Sequence, residues 1–308
     1  MIQKFYLVIL ALLVVVTVFL LYGQYTVYRY PVLTTDPVPR PLGQNNDPDW
    51  LITTDGAYLR FDNQSLYRAF QPQVTLTITA LGDGKGKRIE VENIHPDAKL
   101  EIQGADPDQV LEKQAGLLRR IDIPALKQGE RLRLNWRFPE KSSYRFVAIG
   151  DTGGDRELEW NLIRAGQLNP DFILHTGDVY YDIDEVNIAG SRLNLAPVPV
   201  YTTNGNHDFQ GPEDNAIDTF LQDIGPMNAR FSLLGHCFIN LDTGAFMFPP
   251  EKGERASLLA AEIINQNTGN RQCTDTIIFT HKPVLGKFEA EFPQRDHSLY
   301  GWDSAPLI

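Results

Sequence analysis

The sequence contains very little cysteine. Cys237 and Cys273 are the only two cysteines in 308 residues, and they do not form a Cys-x-x-Cys pair. This scarcity argues against a zinc site made of thiolates, because such sites need clustered cysteines. One disulfide between them is compatible with a domain that lies outside the cytosol, but the sequence does not place the two residues within bonding distance.

Positively charged residues are also scarce: the sequence has 28 Lys and Arg against 39 Asp and Glu, and its formal net charge is −11. A general nucleic-acid binder concentrates basic residues to neutralise the phosphate backbone, so we expect no nucleic-acid partner. A small anionic substrate remains compatible with this charge, because a bound metal cation reverses the local field. Internal repeats and low-complexity tracts are absent, and 43% hydrophobic residues indicate an ordinary globular chain.

One long run without a charge stands at the N-terminus. Residues 5–22 (FYLVILALLVVVTVFLLY) follow Lys4 and are numerous enough to cross a bilayer as a helix. The run is longer than the apolar region of a typical cleavable signal, and a poor cleavage site follows it. We therefore expect residues 1–23 to be a transmembrane anchor that contacts the membrane through residues 5–22 and leaves the rest of the chain outside the cytoplasm. The alternative is a signal segment that is removed, which would give a secreted protein.

The sequence after residue 23 divides into three predicted regions. Residues 24–50 are rich in proline and read as an extended linker. Residues 51–141 alternate apolar and polar positions, for example at 74–80 and 131–138, which predicts a small all-β, β-sandwich-like domain. Residues 142–308 alternate apolar runs with helical spacing at 157–168 and 256–266, which predicts an α/β domain with a parallel or mixed sheet.

Four polar clusters follow the apolar runs of this last region: GDTGG at 150–154, GDVYY at 177–181, GNHD at 205–208 and THKP at 280–283. Each cluster alone is compatible with a polar turn or a helix cap. Because ligands gather at the carboxyl ends of parallel strands, we expect Asp151, Asp178, Asn206 and His281 to converge. Carboxylate, amide oxygen and imidazole suit Mn, Fe or Zn. A carboxylate shared by two such ions gives the two-metal arrangement that is used for phosphoryl displacement.

In this order the four clusters resemble the successive motifs of the calcineurin-like metallophosphoesterases, over about residues 144 to 290. Two details resemble the purple acid phosphatase type within that superfamily. Gly153 stands where many relatives have a histidine, and Tyr181 stands three residues after Asp178, where that type has a tyrosine ligand to ferric iron. Tyr180 is the neighbouring alternative, and a packing role for Tyr181 is the other. The resemblance implies a four-layer α/β/β/α sandwich over residues 142–308.

The resemblance also implies a role for each matching residue. The implied cofactors are two metal ions, iron together with zinc, manganese or a second iron. Asp151 and Tyr181 would bind the first metal, Asp178 would bridge the two, and Asn206 and His281 would bind the second. Asn206 and His207 would contact the substrate, and His207 would protonate the leaving oxygen. A hydroxide formed on the metals would attack the phosphorus.

One motif of the family is missing. Relatives end the metal site with Gly-His-x-His after THKP, and no such motif follows residue 283. Gly235 and His236 precede THKP and lie in a run that predicts a core strand, and His297 lacks the second histidine. We expect the sequence to be truncated before this motif, and the alternative is a naturally short chain with a weakened or absent metal site.

The most consistent function is therefore hydrolysis of small phosphate esters, with a phosphomonoester as the expected substrate. A phosphodiesterase or nucleotidase on the same site is the alternative within enzymes, because the motifs do not specify the pocket walls. A catalytically inactive module that binds phosphate or metal is the alternative from another class. Nothing in the sequence indicates the oligomeric state.

Overall fold

The computed structural model describes residues 17, 47–60, 65–83, 85–104, 107–181, 185–209, 216–241 and 273–281. These residues form a mixed α/β fold with several sheets. All the helices and strands below belong to one compact unit, residues 38–308. Within the described ranges no helix has both the length and the apolar character needed to cross a bilayer. The predicted anchor at 1–23, except Thr17, the predicted linker before residue 47 and the predicted helix at 256–266 lie outside these ranges.

Residues 50–137 form two sheets that pack on one apolar core. The first has the strand order β1-β4-β9-β6 and the second the order β2-β3-β5-β8-β7. The nine strands are β1 Trp50–Asp55, β2 Ala57–Leu59, β3 Leu66–Ala69, β4 Val74–Ala80, β5 Lys87–Glu92, β6 Lys99–Gly104, β7 Leu111–Ala115, β8 Leu118–Ile123 and β9 Arg131–Arg137. A short 3-10 turn, Pro107–Gln109, precedes β7.

The predicted period of two is visible in this core. In β9 the side chains of Leu132, Leu134 and Trp136 are buried while those of Arg131 and Arg133 are exposed. The strand predictions at 74–80 and 131–138 are therefore confirmed by β4 and β9. Alternation places one face of each strand against the facing sheet, and burial of that face stabilises the fold because it removes apolar surface from water.

The second half of the chain contains a three-stranded parallel sheet, β10-β11-β12. Its strands are β10 Phe146–Ile149, β11 Phe172–His175 and β12 Val200–Thr202. A second three-stranded sheet, β13-β14-β15, is mixed: β13 Ala229–Leu233 pairs antiparallel with β14 His236–Asn240, and β14 pairs parallel with β15 Asp275–Phe279. A cluster of mainly aromatic side chains, including Phe172, Tyr201 and Phe238, joins the two sheets.

Three helices accompany these sheets: α1 Arg156–Gly166, α2 Val186–Leu193 and α3 Ala216–Asp223. In α1 the buried residues Leu158, Leu162 and Ala165 recur at intervals of four and three, which places them on one face. Glu157 and Glu159 lie in its first turn, where negative charge interacts favourably with the helix dipole. The helix predicted at 157–168 is confirmed.

The two cysteines are bonded to each other. Cys237 in β14 and Cys273 just before β15 form a disulfide, with their Cα atoms 5.5 Å apart. The bond closes a loop with a sequence separation of 36 residues and fixes the start of β15 to β14.

Candidate metal centre

The four predicted clusters lie where four strands end. Asp151 follows β10, Asp178 follows β11, Asn206 follows β12 and His281 follows β15. The first three strands run parallel, so their carboxyl ends meet at one edge of the sheet.

Both carboxylates stand on sharp turns. Asp151 and Asp178 have φ angles of 54° and 53°, in the left-handed region that few residues other than glycine adopt. Such a conformation costs about 1 kcal/mol or more and persists where the surrounding structure fixes it. The fixing contacts are main-chain hydrogen bonds between the two turns, from the Asp151 N–H to the Gly177 carbonyl at 3.0 Å and from the Thr152 N–H to the Asp178 carbonyl at 3.1 Å. The strand exits are thus held against each other, and so are their carboxylates.

Asp151, Asp178 and His281 bring one ligand atom each within 4.8 Å of one another. The His281 Nδ1 atom lies 3.0 Å from the Thr176 carbonyl oxygen, which only accepts, so Nδ1 is the donor in this contact. The His281 Nε2 atom lies 3.1 Å from the Asn206 Oδ1 atom and 3.6 Å from the Asp178 Oδ1 atom. An imidazole nitrogen, an amide oxygen and a carboxylate oxygen therefore meet at one point. This donor set fits a metal ion that prefers oxygen and imidazole ligands.

His207 lies on the same rim. Its N–H donates to the Asp178 Oδ1 atom at 2.9 Å, and its ring Nε2 atom is 4.0 Å from the Asp178 Oδ2 atom. The side chain is 40% exposed, so the ring has access to solvent while its main chain is held by a buried carboxylate. This is the position that a group must have if it is to exchange a proton with a substrate from outside.

Tyr181 lies beside Asp151 and His207. Its hydroxyl donates to the Asp151 carbonyl oxygen at 2.8 Å, and its ring meets the His207 ring edge to face with centroids 5.2 Å apart. Tyr180, the alternative ligand, is fully buried and points away from solvent. A Cβ atom at Gly153 would lie 2.9 Å from two carbon atoms of the Tyr181 ring, and Gly153 has a φ of 60°. The glycine and the tyrosine that the sequence singled out therefore depend on each other: a side chain at residue 153 would occupy the place of the ring.

The electrostatic environment of this rim is negative. Burial and then the charges of Asp178 and Asp151 raise the pKa of Tyr181 above its ordinary value of 10. In the described part of the chain neither Asp151 nor Asp178 forms an ion pair with a lysine or an arginine, and the basic side chains beside Asp178 are those of His207 and His281. A bound cation reverses this effect and favours the ionised phenol.

Asp208 is a residue whose role the sequence analysis did not identify. It is fully buried, and its carboxylate accepts four main-chain N–H groups: those of Asp178 at 3.1 Å, Val179 at 2.8 Å, Tyr180 at 3.1 Å and Gly205 at 2.6 Å. Burial raises the pKa of Asp208 to about 8, and the N–H donors act against that rise. One carboxylate thus ties the loop after β11 to the loop after β12. Its position as the last residue of GNHD was the only signal in the sequence.

Glu185 and Arg192 hold the first cluster from the side of α2. The Glu185 Oε2 atom accepts the N–H groups of Tyr181 at 3.1 Å and Gly154 at 3.3 Å. The Arg192 Nη1 atom donates to the Gly154 carbonyl at 2.6 Å. Neither contact has a signal in the sequence: Glu185 is close to Tyr181 but 31 residues from Gly154, and Arg192 is 38 residues from Gly154.

His175 lies in β11 beneath the centre and is completely buried. Its Nε2 atom is 2.8 Å from the Thr152 hydroxyl. Burial, followed by the charge of His281, lowers the pKa of His175 to about 3, so the ring is neutral at physiological pH. His236, which the sequence did not favour as a replacement ligand, lies in β14 and contacts the Tyr144 hydroxyl. It does not belong to the group of Asp151, Asp178 and His281. His297 lies outside the described residues.

Comparison with known families supports the interpretation of these loops. Residues 144–295 match the family model described as calcineurin-like phosphoesterase. That range contains every predicted ligand and His207. No match was found among curated proteins.

Proposed function

We propose that this protein hydrolyses small phosphate monoesters. The premise is the calcineurin-like phosphoesterase domain at residues 144–295. Such a domain implies metal-dependent hydrolysis of phosphate esters. The monoester specificity, with the character of an acid phosphatase, is the finer part of the proposal. The observation that carries it is the convergence of Asp151, Asp178 and His281 within 4.8 Å, with the Asn206 Oδ1 atom 3.1 Å from the His281 Nε2 atom.

The residues at the rim divide into two sets of ligands around one shared carboxylate. In the proposal Asp151 and Tyr181 hold one ion, Asn206 and His281 hold the other, and Asp178 bridges them. Asp178 suits the bridging role because it is the most buried of the carboxylates in the group and lies between His207 and His281. Bound ions supply Lewis acidity toward the phosphoryl oxygens and lower the pKa of a water molecule toward neutrality. Iron with zinc, manganese or a second iron is the proposed pair.

His207 is the proposed general acid. Its main chain is fixed by the Asp178 carboxylate, while its ring is partly exposed and packs against Tyr181. A proton held on its ring is available to the oxygen of a departing alcohol, which is the group that needs it as the ester bond breaks. The Asn206 amide, 3.1 Å from His281, is the proposed second contact to the phosphate.

The purple acid phosphatase subtype and the four-layer α/β/β/α arrangement are part of the same proposal. The close packing of the Tyr181 ring on Gly153 supports the subtype. The aromatic core shared by the sheets β10-β11-β12 and β13-β14-β15 supports the two inner layers of the sandwich. We also propose that residues 51–141 are a separate β-sandwich-like domain beside residues 142–308, and that residues 1–23 keep both outside the cytoplasm at a membrane.

The test compares four proteins on two substrates. Metal-reconstituted parent, Asp178→Ala, His207→Ala and the exposed control Asp122→Ala are assayed on an aryl phosphate monoester and on the matching diester. We expect the parent to prefer the monoester, Asp178→Ala to lose activity by about 10³-fold, and His207→Ala to lose about 10²-fold or more. Asp122 pairs with Arg88 on the surface of the all-β region, so its removal should leave the rates unchanged.

Two outcomes would replace the proposal. A parent that prefers the diester supports a phosphodiesterase or nucleotidase on the same residues. Equal turnover in the parent and in Asp178→Ala excludes the enzyme on these residues and leaves a module that binds phosphate or metal.

A further inference from the structure

The outer edge of β12 is covered by side-chain amides. Alternate residues of β12 bond to β11 in the parallel sheet, and Pro199 and Thr203 belong to the bonding set. The N–H and carbonyl of Val200 belong to the other set and therefore point away from β11. In the described part of the chain β12 is the last strand of its sheet. Unpaired main-chain groups at a buried edge are costly, so some other group must satisfy them.

Asn93 of the all-β region provides that group. Its Oδ1 atom accepts the Val200 N–H at 2.9 Å, and its Nδ2 atom donates to the Val200 carbonyl at 2.8 Å. The same Nδ2 atom donates to the carbonyl of Ala69 at 2.8 Å, the last residue of β3. The amide thus pairs with β12 as the main chain of a neighbouring strand would, and it links that strand to the all-β region.

The local structure fixes Asn93 in this orientation. It directly follows β5, has a φ of 64° and is 1% exposed. Asparagine tolerates this left-handed conformation better than most residues. Next to it, Glu92 forms an ion pair with Arg60 at 3.1 Å, and Arg60 also reaches Asp223 in α3 at 2.8 Å. The end of β5 is therefore held to the second half of the chain by Glu92, through Arg60, as well as by the amide.

β12 leads directly into the residues of the candidate centre. Between Val200 and Asn206 the side chains of Thr203 and Asn204 are fully buried. The Asn240 amide donates to the Thr202 carbonyl at 3.0 Å, so the edge is also covered one step closer to the centre. A packed interior transmits a displacement because it has few voids that could absorb it. A shift of β12 at Val200 therefore moves Asn206 and His207.

We propose that Asn93 is a positioning residue: through Val200 it sets the place of the loop that carries Asn206 and His207, and the all-β region is thereby a part of the catalytic unit. The consequence for metal affinity rests on the proposed function, whereas the coupling of Asn93 to β12 does not. Supporting residues of a metal site typically change affinity by about 10- to 100-fold when they are removed.

The experiment uses the whole chain and two variants of Asn93. Asn93→Gly removes the side-chain amide, and glycine tolerates the positive φ at this position. Asn93→Asp keeps the acceptor for the Val200 N–H but replaces the donor to the Ala69 and Val200 carbonyls with an oxygen, which repels them. The matched control is Asn135→Ala, which removes a half-buried asparagine of β9 whose amide oxygen accepts the Thr75 hydroxyl at 3.1 Å, within the all-β region. Amide hydrogen exchange of the metal-free proteins and Mn²⁺ affinity by calorimetry are measured at a temperature where all of them are folded.

In the parent the Val200 amide should be protected from exchange, and Asn93→Gly should increase its exchange rate by about tenfold. Asn93→Gly should also weaken Mn²⁺ binding by about tenfold, and Asn135→Ala should change neither quantity. A Val200 amide that exchanges in the parent as fast as an exposed one overturns the proposal, whether or not the variants fold. The same conclusion follows if an Asn93 variant that folds equals Asn135→Ala in both measurements.

The two proposals fail in different ways. If the parent neither binds Mn²⁺ nor hydrolyses an ester, but the exchange at Val200 responds to Asn93→Gly, the proposed function is wrong and the coupling stands. If the parent is active and Asn93→Gly retains the exchange rate and affinity of the control, the coupling is wrong and the function stands.

Discussion

Replacement of Asp208 by asparagine is the most informative single change in the loops around the centre. The change keeps the size and shape of the side chain and exchanges one carboxylate oxygen for an NH₂ group. Because the carboxylate accepts two N–H groups on each oxygen, either orientation of the amide leaves two main-chain donors facing another donor. The side chain of residue 208 then keeps two of its four main-chain bonds.

The magnitude follows from the burial of these groups. Asp208 is fully buried, so water does not replace the lost acceptor. Each buried donor without a partner costs about 1–3 kcal/mol, which for two donors gives about 2–6 kcal/mol. The same burial raises the pKa of Asp208 to about 8, which means that the charge itself is costly and that the neutral amide avoids this cost. We therefore expect a net loss in the free energy of unfolding at the lower end of the range, about 2 kcal/mol.

The assay is urea unfolding of the metal-free protein at pH 9, above the pKa of about 8 at which Asp208 ionises, with the exposed Asp122→Asn as the control for the same chemical change. A fall in the midpoint at unchanged slope measures the stability directly. With metal added, kcat should also fall by about 10- to 100-fold, because Asp208 holds the main chain of Asp178. If Asp208→Asn unfolds at the same urea concentration as Asp122→Asn, the four N–H bonds do not hold the loops and the reasoning about this residue is wrong.

Three further predictions concern other parts of the chain. Replacing Cys237 and Cys273 together by serine should lower the free energy of unfolding by about 4 kcal/mol, because the disulfide closes a loop between residues 36 positions apart. A parent protein whose unfolding free energy does not change when a reductant is added would contradict this. Burial acts to raise the pKa of Asp171, but hydrogen bonds from the Lys141 ammonium and the Arg145 N–H bring it below its ordinary value of 3.8. Asp171→Asn removes the charge that these donors stabilise, so it should lower the free energy of unfolding at pH 7 by about 2 kcal/mol. A lowered pKa gives stability that is present above pH 3.8 and is lost as the pH falls below it, so the difference in unfolding free energy between the parent and Asp171→Asn should shrink on acidification. A difference that grows on acidification would contradict this prediction. Gly153→Ala should displace the Tyr181 ring and abolish any tyrosinate-to-iron absorption in the visible range, whereas an unchanged spectrum in an iron-loaded variant would remove the ring from the ligand set.

The strand ends of the candidate centre could be predicted because each follows an apolar run. In β11 and β12, which are buried on both faces, the strand is a continuous hydrophobic segment, and its last residue is where polar side chains can begin. For that reason the convergence of Asp151, Asp178, Asn206 and His281 was predictable without knowledge of any distance. The period of two in β4 and β9 was predictable on the same physical basis, since one face of each strand is buried.

The supporting contacts could not be predicted because they are hydrogen bonds to the main chain. Any acidic or amide side chain can accept an N–H group, so the sequence around Asp208, Glu185 and Asn93 does not distinguish them from surface residues. Their roles depend on which loop the fold brings beside them, over separations of up to 107 residues in the case of Asn93 and Val200. The pairing of Cys237 with Cys273 has the same origin, because it depends on the register of β14 and β15.

The central claim is that the four strand ends hold metal, and a metal titration tests it most directly. Chelator-treated protein is titrated with Mn²⁺ or Zn²⁺ in a calorimeter, alongside Asp178→Ala and the surface control Asp122→Ala. Since Asp178 lies within one group with Asp151, of the first set of ligands, and His281, of the second, its removal affects both sets. We predict saturable binding to the parent and to Asp122→Ala, and its loss or a weakening of at least about 100-fold in Asp178→Ala. Binding of equal affinity in the parent and in Asp178→Ala, or no binding to any of the three, would contradict the account.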